Sequence, residues 1–365
     1  MKNKRLIYFD NMRAILMLLV IVFHATCVFA TKDYWYVIRS ADSTFFSNIL
    51  FLTTQSFIMG AFFIISGYFA MLSLENYSSS MFIKKRIYRV GIPLIIVAIV
   101  INSLQEYILL KNGWVDGFNL YTYIVNGEWK HHLWFLINLI VYFFFILLVK
   151  KYIFMMDKNI GKWTSNIPII LILFILPIFT VILLVIAKIY PIRGIINSSD
   201  ILMYLPFFII GVFFKNNKNL MYRFENIPIY ISLSITIVSI YVFETYTGKI
   251  QGNIWLTLLI YFIFLAKWFS ISLFFRFSKK YLNRELGILD YLREASYSMY
   301  LIHHIWIVIF SLLLIKLKIG GTSGLFLLII ATMLITLAIY KWIISKNDTI
   351  YFLLNGTENI KKIKP

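Results

Sequence analysis

Two ionisable side chains stand where a plain membrane span would carry none. Arg13 leads into the apolar run from Ala14 to Ala30, and His24 interrupts it. At about 100° per residue, positions eleven apart fall within about 20° of each other around a helix, so Arg13 and His24 share a face. Asp10 lies within about 40° of that face, and Arg13 and His24 are roughly 16 Å apart along the axis. An ionisable residue at the bilayer centre costs roughly 2.5–3.5 kcal/mol on insertion scales, so such a stripe points to a buried site. Histidine, with an unperturbed pKa of about 6.5, suits proton acceptance at neutral pH. Arginine stays charged and binds phosphate or carboxylate through two parallel hydrogen bonds. The structural alternative is a polar pair that fastens this helix to its neighbours.

Further groups of the same kind lie downstream. Arg86 and Arg89 share a helical face by their spacing. They suit a cytosolic polyanion such as a coenzyme A phosphate, and equally the basic decoration of a cytoplasmic loop. Ser296, Tyr297, Tyr300, His303 and His304 gather hydroxyls and imidazoles on a late span. Their spacing serves a site or interhelical hydrogen bonds. The segment 111–131 carries Trp114, Tyr121, Tyr123 and Trp129 and ends with Glu128 and His131, directly before His132. It reads as an interfacial aromatic belt or as a platform for sugar rings. Glu128 and His131 have E-x-x-H spacing, but adjacent histidines on a helix diverge and no H-E-x-x-H occurs, so no metal is expected. Ser66-Gly67 suggests close helix packing. Lys267, alone in its span, suits a carboxylate partner or a cavity wall.

The elements that must position these residues follow from composition. The chain has 365 residues, 61% of them hydrophobic, and a mean hydropathy of +0.81. That is an all-α, polytopic membrane composition. Ten apolar runs are visible, near 11–30, 49–72, 90–110, 132–150, 167–189, 200–214, 229–247, 253–275, 296–315 and 323–345. The sixth is short for a span. Of the 35 Lys and Arg residues, 24 fall on the tails and alternate connections and 9 on the other connections. This asymmetry predicts that both termini are cytoplasmic. It also explains the net charge of +19 through the inner leaflet, without nucleic acid.

Residues 1–345 read as one membrane domain and 346–365 as a short basic tail on the membrane surface. A single cysteine, Cys27, permits no internal disulfide. The first run also resembles a signal peptide, but Arg13 and His24 interrupt that pattern and cleavage would leave an odd number of spans. No internal repeat, phosphate-binding glycine loop or G-x-S-x-G elbow is present, so any chemistry must use membrane-embedded residues. Nothing in the sequence specifies an oligomeric state.

The residues together resemble the acyltransferase-3 family of membrane O-acyltransferases. Arg13 and His24 match its Arg-x10-His motif, and Arg86 and Arg89 match its Arg-x-x-Arg. Ser296, Tyr297, Tyr300, Leu301 and His303 match its Ser-Tyr-x-x-Tyr-Leu-x-His signature. Within the family the chain is most similar to the glucan biosynthesis protein C group. The shared strings are Tyr8-Phe9-Asp10 with Arg13-Ala14, Phe63 to Phe69, Arg89 to Pro93, His132 to Leu136 and Tyr204 to Phe208. Other branches carry a Trp-Ser-Leu-Ser-Val-Glu type motif where this chain has His132-Leu133-Trp134-Phe135-Leu136. The departure favours the glucan group over the peptidoglycan-acetylating branch and puts a catalytic Glu there in doubt.

The resemblance implies transfer of an acetyl or succinyl group from acyl-CoA, as co-substrate, to a hydroxyl of an envelope glycan. It implies a multi-pass protein of the bacterial cell membrane with no tightly bound cofactor. His24, Arg13 and Asp10 are then expected at the catalytic centre, and Arg86, Arg89, Tyr300 and His303 at the donor. Trp114, Trp129, His131 and His132 are expected at the acceptor. The alternative from another class is a transporter or flippase of an acyl, lipid-linked or glycan species. The motif match favours the enzyme, and coenzyme A-dependent acylation would separate the two.

Overall fold

A computed structural model describes residues 6–32, 34, 36–249, 252–285 and 287–358, leaving aside the side chains of 154 and 156–165. Residues 359–365 of the expected tail lie outside the described set. Among the described residues the chain is helical with no strands, and ten helical stretches are long and apolar enough to cross a membrane. They are α1 Ile7–Phe29, α2 Phe45–Asn76, α3 Ser79–Lys111, α4 Trp134–Asn166 and α5 Ile169–Ile189. α6 Ser198–Asn216, α7 Ile229–Tyr246, α8 Asn253–Tyr281, α9 Gly287–Lys316 and α10 Gly321–Trp342 complete the set. The sixth run, short by sequence, extends at both ends to 19 residues. The protein is therefore a multi-pass membrane protein.

Helix starts follow local chemistry. The Asn197 side chain accepts from the backbone N–H groups of Ser199 and Asp200 at the start of α6. Asn119 and Asn347 do the same before the short helices Leu120–Val125 and Asp348–Asn355. Each cap satisfies amide groups that the first turn leaves without partners. α3 is not a uniform helix. It widens into π-helix at Ile87–Gly91 and again at Val97–Asn102. Such stretches are rare and concentrate at functional sites.

The helices form two compact units. One comprises Met1–Phe9, Ser56–Phe82 and Val141–Arg284. Here α2 and α6 approach at their glycines: a Cβ on Gly67 would strike the Phe208 carbonyl oxygen, and one on Gly211 the Ile64 carbonyl oxygen. This is the close packing expected of Ser66-Gly67. Trp268 stacks on Phe207 with ring centroids 4.2 Å apart. Lys267 is buried on α8 in the same unit.

The other unit comprises Asp10–Gln55, Ile83–Ile140 and Glu285–Pro365. It holds most of α1, most of α3, and α9 and α10. The α9–α10 connection is tied to the segment after α1, where the Gly321 N–H donates to the Asp42 carbonyl at 2.8 Å. The helix Asp348–Asn355 folds back within this unit. Ser298 donates to the Asn355 side-chain oxygen at 3.0 Å, and Leu354 and Asn355 are buried. Part of the segment expected as a surface tail is thus packed structure.

Candidate active site

Every sequence-derived site residue belongs to this second unit. α1 places Arg13 and His24 on one face, as its periodicity requires. On α9 the i, i+3 spacing lines up Tyr297, Tyr300 and His303: ring centroids are 6.5 Å apart for the first pair and 5.8 Å for the second. α3 supplies the arginines at one end and Gln105 and Glu106 further along. The segment Glu128–Leu133 supplies His131 and His132.

All five histidines of the chain meet here. The His24 ring is 5.2 Å from that of His303 and 4.9 Å from that of His304, centroid to centroid. The His132 ring is 5.1 Å from His303 and 5.0 Å from His304, and His131 is 5.8 Å from His304. His24, His132, His303 and His304 are buried. Among the described residues no group of three or more His, Cys, Asp or Glu could hold a metal ion.

Hydrogen bonds fix where protons sit. His303 Nδ1 lies 2.5 Å from the Tyr300 carbonyl oxygen. A carbonyl only accepts, so Nδ1 carries the hydrogen and Nε2 keeps its lone pair. Nε2 is buried and has no hydrogen-bond partner among the described residues. His304 Nδ1 likewise donates to the Gln105 Oε1 at 2.7 Å, and the Gln105 Nε2 is buried without a partner. Buried polar groups seldom stay unsatisfied, so such atoms call for an explanation. His131 pairs with Glu106, Nε2 to Oε2 at 3.4 Å, and holds a backbone φ of 36°. A β-substituted residue in that region stores roughly 1–3 kcal/mol, a cost found most often at functional sites. Beyond the spans, Tyr36 sits 6.0 Å from His24 and 5.4 Å from His304, ring to ring. Burial pushes its phenol well above the ordinary value, so it stays protonated and able to donate.

A second centre lies along α1 from His24. Arg13, Arg86 and Arg89 are close enough to interact electrostatically, and Asp10 is 4.0 Å from Arg13. Three guanidinium groups with one carboxylate make an anion-attracting surface. The π-helical stretch that carries Arg89 is held from outside: the Tyr297 hydroxyl donates to the Arg89 carbonyl at 2.9 Å. Gly356, with φ of 61°, closes on the Tyr88 carbonyl, where any Cβ would collide. Tyr300 bridges toward the histidines by donating to the His132 carbonyl at 2.9 Å.

A cavity of about 350 Å³ adjoins the histidines. Tyr36, Gln105, Asn126, Glu128, His131 and His304 are among its wall residues. Trp114 and Trp129 are half-buried and do not line it. The Trp129 carbonyl instead accepts from Asn102 at 2.8 Å, at the end of the second π-helical stretch. The structure therefore brings His303, expected among donor residues, beside His132, expected among acceptor residues. It places His304, already read within the late-span cluster, at the cavity wall, and it adds Tyr36, Gln105, Glu106 and Gly356. Gln105 had a readable signal, since it is a polar residue within a long apolar span. Tyr36 and Gly356 had none.

A family model described as an acyltransferase domain matches residues 6–341, nearly the whole chain. The chain belongs to the acyltransferase-3 family. It is 29% identical over 318 residues to glucans biosynthesis protein C of Escherichia coli K12, covering 81% of this chain and 80% of that protein. The protein of the same name from Escherichia coli O139:H28 gives 29% over 319 residues, with the same shares. No solved structure matches the chain. As a member of this family with ten apolar helices, it is a membrane acyltransferase.

Proposed function

We propose that this acyltransferase moves an acetyl or succinyl group from cytoplasmic acyl-CoA to a hydroxyl of an envelope glycan across the bacterial cell membrane. The observation that carries this reading is the pairing of two centres in one unit, linked by the Tyr297–Tyr300–His303 ladder. One centre is cationic, and the other holds buried imidazoles beside a cavity. The loop-charge asymmetry supports a cytoplasmic N-terminus, which turns the arginines toward the donor and the cavity toward the outside.

In this reading Arg13, Arg86 and Arg89 bind the donor's phosphates, with Tyr297 and Tyr300 fixing the path between centres. Asp10 orients Arg13. His24 removes the proton of the attacking sugar hydroxyl. The sugar oxygen bonds to the acyl carbonyl carbon, the carbon–sulfur bond breaks, and the proton passes to the departing sulfur to give free coenzyme A. His303, whose ring is 5.2 Å from that of His24 and whose Nε2 keeps its lone pair, shares that proton in this reading. A sugar hydroxyl is a poor nucleophile, and such base assistance typically contributes about 10²–10⁴-fold.

The test is acylation by purified protein in a bilayer disc, with acetyl-CoA or succinyl-CoA and a β-glucan oligosaccharide. Mass spectrometry of the oligosaccharide names the group added. Acyl-CoA-dependent mass gain supports the reading, and movement of glycan across the bilayer with no mass gain would replace it with transport.

A further inference from the structure

We infer that the acceptor is held, one uncharged sugar residue at a time, in the cavity walled by Tyr36, Gln105, Asn126, Glu128, His131 and His304. This inference rests on the glycan-acylating reading above and specifies its acceptor site. Four observations carry it. First, the cavity's volume of about 350 Å³ lies near the lower end for small-ligand pockets, which suits a single ring rather than an oligomer. Second, its walls mix apolar surface from Val37, Leu109 and Val308 with convergent polar groups, the usual composition of such a site. Third, Gln105 is fully buried and its Nε2 hydrogens meet no protein acceptor among the described residues. A sugar hydroxyl would satisfy them, and leaving a buried amide donor bare is costly. Fourth, His304 joins the cavity wall to the His24 ring at 4.9 Å. A ring seated there lies against His304, which packs edge-on to the ring of the proposed base.

The wall charges select the class of sugar. Glu128 and Lys130 offset each other, and His131 is engaged by Glu106. Among the described wall residues the one acid and the one lysine balance, so a uronic acid would gain no net charge attraction on entering. The rest of the glycan leaves past Val37 and Asn126, both at exposed positions.

The experiment uses the full-length Val37→Cys variant. The native Cys27 is buried, so the introduced thiol is the accessible one. A membrane-impermeant maleimide is applied to the purified protein in bilayer discs. Labelling is expected to cut acylation of a β-glucan oligosaccharide by about tenfold or more, with coenzyme A affinity unchanged. Saturating β-glucan oligosaccharide should slow the labelling, and an oligosaccharide of uronic acids should not. Gln105→Glu keeps an acceptor for His304 but removes the amide donor, and should raise the acceptor KM by about tenfold. Labelled protein that acylates glucan at the unlabelled rate overturns the pocket and leaves the glycan reading standing. Native protein, with Val37 in place, that acylates no glucan overturns that reading. Labelling unaffected by glucan overturns the pocket whether or not acylation occurs.

Discussion

One buried cluster in each unit handles its polar groups in the opposite way to the other. In the first unit, Glu225 is buried, and both its oxygens are taken. The Tyr8 hydroxyl donates to Oε1 at 2.6 Å and Lys279 to Oε2 at 2.7 Å. Neighbouring bonds close the surroundings: Ser272 donates to the Phe224 carbonyl and Arg276 to the Ile227 carbonyl. In the second unit, His303 Nε2 and Gln105 Nε2 are buried with no hydrogen-bond partner among the described residues. The first arrangement returns the cost of burial within the protein, while the second leaves it for a ligand to return. The closed cluster around Glu225 holds its unit together, and in the proposed reading the open one beside the cavity is where another molecule enters.

The largest effects should come from breaking this contrast at its two poles. His24→Ala is expected to lower acyl transfer by about 10²–10⁴-fold while the protein still inserts and folds. Full activity in that variant would remove His24 from the role of base. Glu225→Gln should show the reverse profile. It loses roughly 1–3 kcal/mol of stability by weakening a closed cluster, and its folded fraction turns over normally. Thermal unfolding and steady-state turnover on the same samples separate the two. A Glu225→Gln protein of full stability and no activity would show that the closed cluster serves chemistry.

The next effect belongs to the cationic centre. Arg89→Lys keeps the charge and loses the planar fork, so coenzyme A affinity should fall by about tenfold. Isothermal titration with coenzyme A reads this directly. Unchanged affinity there, and in the Ala variants of Arg13 and Arg86, would refute the donor assignment.

What the sequence makes legible is local. Ten spans appear because apolar length is a one-dimensional signal. The Arg13–His24 stripe appears because both residues lie on one helix of known pitch. The imidazole cluster does not, because His131–His132 and His303–His304 reach His24 from separate elements. Read by loop position alone, they fall into an acceptor group and a donor group. The π-helical stretches of α3 are also hidden, since Ile87–Gly91 and Val97–Asn102 carry ordinary apolar helix composition. The docking of Asp348–Asn355 depends on contacts with Ser298 and Tyr88, far away in sequence.

A moderate effect should follow from that docking. Gly356→Ala places a Cβ against the Tyr88 carbonyl at a backbone φ of 61°, a strain of roughly 1–3 kcal/mol. Relief requires the end of the helix or the Tyr88–Arg89 backbone to move. The donor KM should rise by a few-fold, about two to five, with the acceptor KM unchanged. Equal changes in both constants would point to general loosening of the unit instead.

The smallest effect is expected at the tryptophans of segment 111–131. Trp114 was a natural acceptor platform in the sequence, because a flat apolar face suits sugar C–H groups. In the structure it is half-buried and off the cavity wall, as is Trp129. The segment reaches the cavity through Asn126, Glu128 and His131 instead. Trp114→Ala should therefore change the acceptor KM by less than about twofold and lower the yield of inserted protein, as loss of an interfacial anchor does. Steady-state kinetics at fixed acyl-CoA with varied β-glucan oligosaccharide decides the matter. An acceptor KM raised as far as in Gln105→Glu would move the binding surface outward from the open histidine cluster to the aromatic rim. The contrast between the closed and open clusters would then no longer locate the acceptor.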